Sequence, residues 1–150
     1  MKFSTRTIYG LKAILVLAAR HGEGLLSVSA IAKKEKISVH YLEQILNALK
    51  KKGLVKSVRG PQGGYTLAKK PSEITLYDLY LALVAGKKEA TAVLEPSEPD
   101  ETSIADALFW RQYSTSVQKG LSEKTVKDLV DEARRLKKGK TRTPSQSFHI

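Results

Sequence analysis

Between Ser27 and Leu67 the chain reads SVSAIAKKEKISVHYLEQILNALKKKGLVKSVRGPQGGYTL, and its hydrophobic period changes within these residues in a way that few folds accommodate. From Val39 to Lys52 the apolar residues Leu42, Ile45, Leu46 and Leu49 recur at i, i+3, i+4 and i+7, one stripe of a helix. The opposite face carries His40, Gln44, Asn47 and Lys51, with Glu43 on its shoulder. Ser38 is the expected N-cap. Gly53 ends the helix just after Lys50, Lys51 and Lys52, cations that suit the negative end of its dipole. Upstream, Ser27 caps a shorter helix with Val28, Ile31 and Ala32 inward, leaving Lys36, Ile37 and Ser38 as a turn plugged by Ile37. After Gly53, Leu54 to Val58 and Tyr65 to Leu67 are short strand candidates around Gly60-Pro61-Gln62-Gly63-Gly64. Pro61 sets φ for a turn and the glycines permit positive φ, so a hairpin tip is expected.

A helix of about two turns, a short turn and a longer second helix form the unit that lays its second helix in a major groove of duplex DNA. The expected fold is therefore mainly α with a small β-hairpin wing, a winged helix-turn-helix. Base edges come within reach of His40, Glu43, Gln44 and Asn47: an amide pairs with adenine and a carboxylate accepts from cytosine N4. Ser38, Tyr41 and Lys51 complete the candidate contacts on this helix. Arg59 stands at the root of the wing tip, where a guanidinium enters a minor groove or clamps a phosphate, and Gly60, Pro61, Gln62 and Gly63 follow it. Other readings exist. A helical hairpin of this spacing also occurs in proteins that never touch DNA. The glycine-rich tip resembles a phosphate loop, but it leads into a strand and lacks the terminal Lys-Ser/Thr. His40 and Glu43 at i, i+3 could both ligate a metal, but no third ligand lies near them in sequence.

Charge sharpens the picture. Residues 1 to 71 hold 14 Lys or Arg against 3 Asp or Glu, while residues 72 to 150 hold 12 against 12, so the whole net charge of +11 sits on the segment containing the helix-turn-helix. Neutralising phosphates with such a face releases counterions, the footprint of nucleic-acid binding. A basic face can also bind acidic lipid or an acidic protein, so a basic adaptor module is the rival reading. No hydrophobic run approaches ~20 residues and no cleavable signal opens the chain, so a cytoplasmic protein without a membrane partner is expected. The sequence contains no cysteine, which excludes disulfides, thiolate nucleophiles and cysteine-ligated zinc.

In chain order, Ser4 caps a first helix with Ile8, Leu11, Ile14, Leu15 and Ala18 inward, stopping at Gly22. Arg6 near its start is a candidate phosphate contact, with a solvated charge as the alternative. Thr75-Leu76-Tyr77-Asp78 is a capping-box variant opening a helix with Leu76, Leu79, Tyr80 and Leu83 inward and its end at Gly86. This gives a DNA-binding domain over 1–86. Residues 87–101, rich in Glu, Pro, Ser and Ala, read as a loop with an apolar patch at Ala92-Val93-Leu94. From Thr102 to Lys119, Ile104 and Leu108 occupy one face of a helix, Trp110, Tyr113 and Val117 another, and Phe109 lies between. So wide an apolar arc requires cover on more than one side, which points to a dimerisation helix packed on its twofold mate. A central core helix of a monomer is the alternative. Ser122 caps a last helix with Val126, Leu129, Val130, Ala133 and Leu136 inward, giving a region of dimerisation and C-terminal helices over 102–137. A polar, Pro-broken tail over 138–150 is expected to be mobile, with Phe148 and Ile150 able to dock. His21, His40 and His149 have no Ser or acid at a spacing that recruits them, so no enzyme, metal site or cofactor is expected.

Three segments carry a resemblance: Ile37-Ser38-Val39-His40-Tyr41-Leu42-Glu43-Gln44, Lys52-Gly53-Leu54-Val55 and Ser57-Val58-Arg59-Gly60-Pro61-Gln62-Gly63-Gly64-Tyr65. With Lys2-Phe3-Ser4-Thr5 and Tyr9-Gly10-Leu11, they resemble the Rrf-two family of bacterial transcription regulators. The resemblance implies a homodimeric repressor on a palindromic operator, with Glu43 reading cytosine and Arg59 entering the minor groove. His40 stands where relatives often have a small hydroxyl residue, which leaves the operator sequence open. Cluster-binding members carry three cysteines in the region matching about Ala92 to Leu108; here that region reads AVLEPSEPDETSIADAL. The chain looks closest to the family's cysteine-metabolism repressors, which implies regulation by a protein partner. A small-molecule effector held between the winged domain and the dimer helix is the other option.

Overall fold

The computed structural model describes residues 3–84 and 100–140. The first helix, α1 (Thr5–Ala19), starts at Ser4, whose hydroxyl accepts from Thr7 N–H at 3.1 Å. Next come α2 (Val28–Glu35) and α3 (Val39–Lys51), capped by Ser27 and Ser38 respectively. Ile37, only 6 % exposed, plugs the turn between them. Lys36 takes the left-handed conformation (φ 55°) that closes α2 and redirects the chain into this turn.

The wing follows, as β1 (Val55–Val58) and β2 (Gly64–Leu67), antiparallel with Val55 opposite Leu67 and Val58 opposite Gly64. Leu26 adds an antiparallel bridge to Tyr65, through bonds of 3.0 and 2.7 Å, so the hairpin is stitched to the entry of α2. A 3-10 turn at Pro71–Glu73 leads to α4 (Leu76–Leu83), where Thr75 and Asp78 form the expected capping box. Two longer helices complete the chain, α5 (Glu101–Ser122) and α6 (Val126–Lys140). α4 stops at Leu83, where Val84 N–H closes the last turn on Tyr80 O, short of the expected end at Gly86, and α6 runs to Lys140, into the tail expected to be mobile from 138. The expected apolar patch at 92–94 and the docking of Phe148 and Ile150 lie outside the described residues.

The core is built from Ile14 and Leu17 of α1, Ile31 of α2, the stripe Leu42, Ile45, Leu46 and Leu49 of α3, Val55 and Leu67 of the wing, Ile74, Leu79 and Val126. Two sequence expectations are corrected. The inward face of α1 is Gly10, Ala13, Ile14, Leu17 and Ala18 together with Val16, whereas Ile8 and Leu11 are 45 % and 36 % exposed. This helix is apolar nearly all round, so periodicity could not select its buried face. Close packing selected it: a Cβ on Gly10 would come within 2.6 Å of Leu83 Cδ2, an approach that brings α4 down onto α1.

The second correction concerns α6. Ser122 belongs to α5, and the cap of α6 is Thr125, whose N–H and hydroxyl both donate to Asp128 Oδ2 at 2.7 and 2.9 Å. The caps of α4 and α6 lie side by side, because Leu76 N–H donates to Lys124 O and Val126 N–H to Ile74 O. That bridge buries Ile74 and Val126 completely. The Arg134 guanidinium then donates to Ala19 O at the end of α1. Only the first half of the expected inner face of α6 is covered: Leu129 and Val130 are half-buried, while Ala133 is exposed and Leu136 is 59 % exposed.

Candidate nucleic-acid interface

Because Leu42, Ile45, Leu46 and Leu49 anchor α3, its rotation about its own axis is fixed and the opposite face is held outward. His40, Glu43, Gln44, Asn47 and Lys51 are all exposed on that side. Ser38 is exposed, and its hydroxyl accepts from Tyr41 N–H at 3.3 Å, so its side chain serves the helix start. Tyr41 is placed differently from the others. It is half-buried against the core and meets Tyr9 of α1 edge to face, with ring centroids 6.0 Å apart.

Two contacts on α3 were not legible in the sequence. Lys50 Nζ donates to Ser57 Oγ at 2.7 Å, tying α3 to the first strand of the wing. Gln44 Nε2 and His40 Nε2 lie 3.2 Å apart across one helical turn, on the outward face. The i, i+4 spacing was visible for the second pair, but the coupling of the two side chains was not.

The wing tip is a turn closed by Gly63 N–H donating to Gly60 O at 2.9 Å, with Pro61 at its second position. Positive φ is confined to Gly60 here (120°). Gly63 and Gly64 are required for a different reason from the one expected: a Cβ would stand 2.2 Å from Val58 O at Gly63, and 2.5 Å from Leu26 O at Gly64. The glycines thus let three backbone segments approach closely, which holds Arg59, Gly60, Pro61 and Gln62 out in solvent while Gly63 is half-buried. Arg6 is exposed at the start of α1 and lines a cleft with Thr7, Ala48, Lys52 and Leu83. That cleft lies on the flank of α3 turned away from Lys50 and the wing, since residues 48 and 52 point to the opposite side from residue 50 at 100° per residue.

The second cluster is on α5, a helix of 22 residues with none buried. Its half-buried positions, Ser103, Ala107, Val117 and Leu121, share one face. Ile104, Leu108, Phe109, Trp110 and Tyr113 are 42 to 61 % exposed. Trp110 stacks edge-on with both Phe109 and Tyr113, and its indole N–H donates to Asp106 at 3.0 Å, which fixes the ring on the outside of the helix. Val117 thus lies with the covered face, unlike the four other residues expected to join a second chain.

A cysteine-held iron-sulfur cluster does not fit this chain, which has no thiolate to offer. Within the matching segment Asp100 is engaged otherwise: its carboxylate accepts from Ser103 N–H and caps α5. Among the described residues no group of three His, Asp or Glu is placed to hold a metal ion, and no helix is long and apolar enough to cross a membrane.

Comparison with known proteins is consistent with this geometry. The Rrf2 family, described as an iron-dependent transcriptional regulator, matches residues 3–132. The transcriptional regulator CymR of Bacillus subtilis is 39 % identical over 130 residues, covering 87 % of this chain and 90 % of CymR. An IscR regulator from Photorhabdus laumondii is 35 % identical over 133 residues, covering 87 % of this chain and 80 % of its own. Among solved structures, that of B. subtilis CymR, a global cysteine regulator, superposes with a TM-score of 0.69, covering 88 % of this chain and 98 % of the other at 39 % identity. The T. potens IscR structure does so at 0.66 and 34 % identity, covering 98 % and 94 %.

Proposed function

Because this chain belongs to the Rrf2 family of transcriptional regulators, we propose that it acts as a homodimeric repressor that places two copies of α3 in successive major grooves of an imperfect palindrome. It is a DNA-binding regulator and not an enzyme, as its relatives are. The observation that carries the dimer is α5, which leaves Ile104, Leu108, Phe109, Trp110 and Tyr113 in solvent with no residue of the helix buried. Apolar side chains clustered in this way mark an interaction surface, and a second copy of the same helix supplies a self-complementary cover.

In this reading His40, Glu43, Gln44 and Asn47 face base edges, while Lys51, farther along the same face, and Arg6, on the flank of α3, neutralise phosphates. Arg59, carried by the tip from Gly60 to Gly63, enters the flanking minor groove. Residues 1–86 then form the DNA-binding domain, with α6 docked back on it, and α5 projects the dimer surface. Repression takes place in the cytoplasm, where the nucleoid lies. The regulatory input is a protein partner or a small molecule, as the likeness to a cysteine regulator suggests.

The test is selection of bound sequences from random duplex DNA by the full chain at physiological salt. Enrichment of a twofold-symmetric site is expected. Salt-sensitive binding without sequence preference, by protein of confirmed dimer mass, would overturn the operator reading in favour of a basic adaptor.

A further inference from the structure

The pair His40 and Gln44 sits in the centre of the outward face of α3, both side chains exposed, with 3.2 Å between Gln44 Nε2 and His40 Nε2. An amide nitrogen carries two protons and accepts nothing, so in this arrangement Gln44 donates and the ring nitrogen accepts. With the ring neutral, this acceptor role places its proton on Nδ1. Gln44 keeps one N–H and its carbonyl oxygen turned outward, the donor and acceptor that pair with adenine N7 and N6. Once His40 is protonated, Nε2 becomes a donor and cannot accept from the amide. Rotation of the Gln44 amide by half a turn restores the bond, because Oε1 now accepts from Nε2–H. The groove then meets two amide N–H donors, which suit the O6 and N7 of guanine or the O4 of thymine and no longer match adenine.

We propose that His40 and Gln44 read DNA as one coupled pair, in which the charge on His40 sets the direction of the Gln44 amide and thereby the base it selects. The inference rests on the reading of α3 as the base-contacting helix. Glu43 on α3 and Lys36 before it are the charged groups next to the pair along the chain. On the elements packed against this end of α3, Lys12 of α1 and Glu35 of α2 face each other at 3.8 Å, and Tyr9 of α1 meets Tyr41. Lys33 and Lys34 stand in the last turn of α2. A uniform gain in affinity from a new cation in the groove falls equally on every site. The ratio between two sites therefore isolates the rotation of the amide.

Two measurements on the full chain test the pair. The first needs no DNA: nitrogen-15 correlation of the histidine ring reports which nitrogen of neutral His40 bears the proton. Nδ1–H is expected. Nε2–H would overturn the proposal, because a ring that already donates when neutral imposes no rotation on protonation. The second is selection of bound sequences at about pH 7.5 and about pH 5.5 in the same salt, followed by affinity ratios for paired sites with adenine or guanine facing Gln44. The adenine preference is expected to fall by at least about threefold at the lower pH, and His40→Leu is expected to abolish that change. The same ratio at both pH values, or a shift that persists in His40→Leu, would overturn it. Failure to select any sequence at either pH would bear on the operator reading, and the ring measurement would still decide the coupling.

Discussion

At the scale of the residue, the side chains proposed to read bases are distinct from those that anchor α3 in the core. Glu43 and Gln44 are exposed beside one another on a helix whose other face is locked by four buried residues, so either can be truncated without loss of core contacts. Glu43→Ala is expected to relax base preference at one position of each half-site by about 1–3 kcal/mol of discrimination, with little change in affinity for other sequences. Arg59→Ala is expected to weaken binding more uniformly and to reduce the salt dependence by about one counterion. Fluorescence anisotropy on a panel of single-base variants over a salt series separates the two patterns. An equal loss on every sequence in Glu43→Ala would argue against base reading by that carboxylate. The exposure of Glu43 and Gln44 was legible in sequence, because it depends only on which side of α3 a residue occupies. The Lys50–Ser57 tie was not visible, since it depends on the angle at which the wing leaves α3.

At the scale of the element, the helix starts follow local chemistry wherever a single capping residue is available. Ser4, Ser27, Ser38 and Thr75 all cap as their sequence context requires. The start of α6 departs from the expected cap at Ser122: the chain caps at Thr125, which has an acid three residues on. Asp128 accepts from both the backbone N–H and the hydroxyl of Thr125, which holds its carboxyl below the ordinary 3.8. A carboxyl depressed in the folded state adds stability that is complete above its unfolded value and disappears as pH falls through its folded one. Asp128→Ala is therefore expected to lower the melting temperature near neutral pH, and the gap from the unsubstituted chain should close as pH falls below 3.8. Thermal melts followed by circular dichroism over an acid series read both. A gap that stays constant with pH would mean that the carboxylate contributes through packing and not through charge.

At the scale of the whole molecule, the question is what covers α5. Its own domain covers the face of Ser103, Ala107, Val117 and Leu121, leaving Leu108 and the aromatic cluster outside. A charge placed in a desolvated twofold interface is introduced twice and faces its own copy. Leu108→Asp is expected to weaken dimerisation by at least about tenfold, with the helical content of each protomer preserved because the side chain is 49 % exposed in the single chain. Sedimentation at a series of concentrations checks it, and an unchanged mass would remove Leu108 from the interface. Operator affinity should fall in parallel, since two half-sites bound by separate protomers lose the gain of linkage.

The sequence by itself determined the helix-turn-helix, the wing and the polar face of α3, because each rests on periodicities and turn residues that act within a few positions of one another. It also determined where the charge lies and that no thiolate is available. Tertiary structure alone decided which face of the nearly all-apolar α1 is buried, and that the caps at Thr75 and Thr125 lie side by side with Ile74 and Val126 sealed beneath them. The reason is physical: a helix apolar nearly all round has several local solutions of similar energy. Only contacts between residues far apart in the chain, such as Gly10 with Leu83 or Arg134 with Ala19, choose among them.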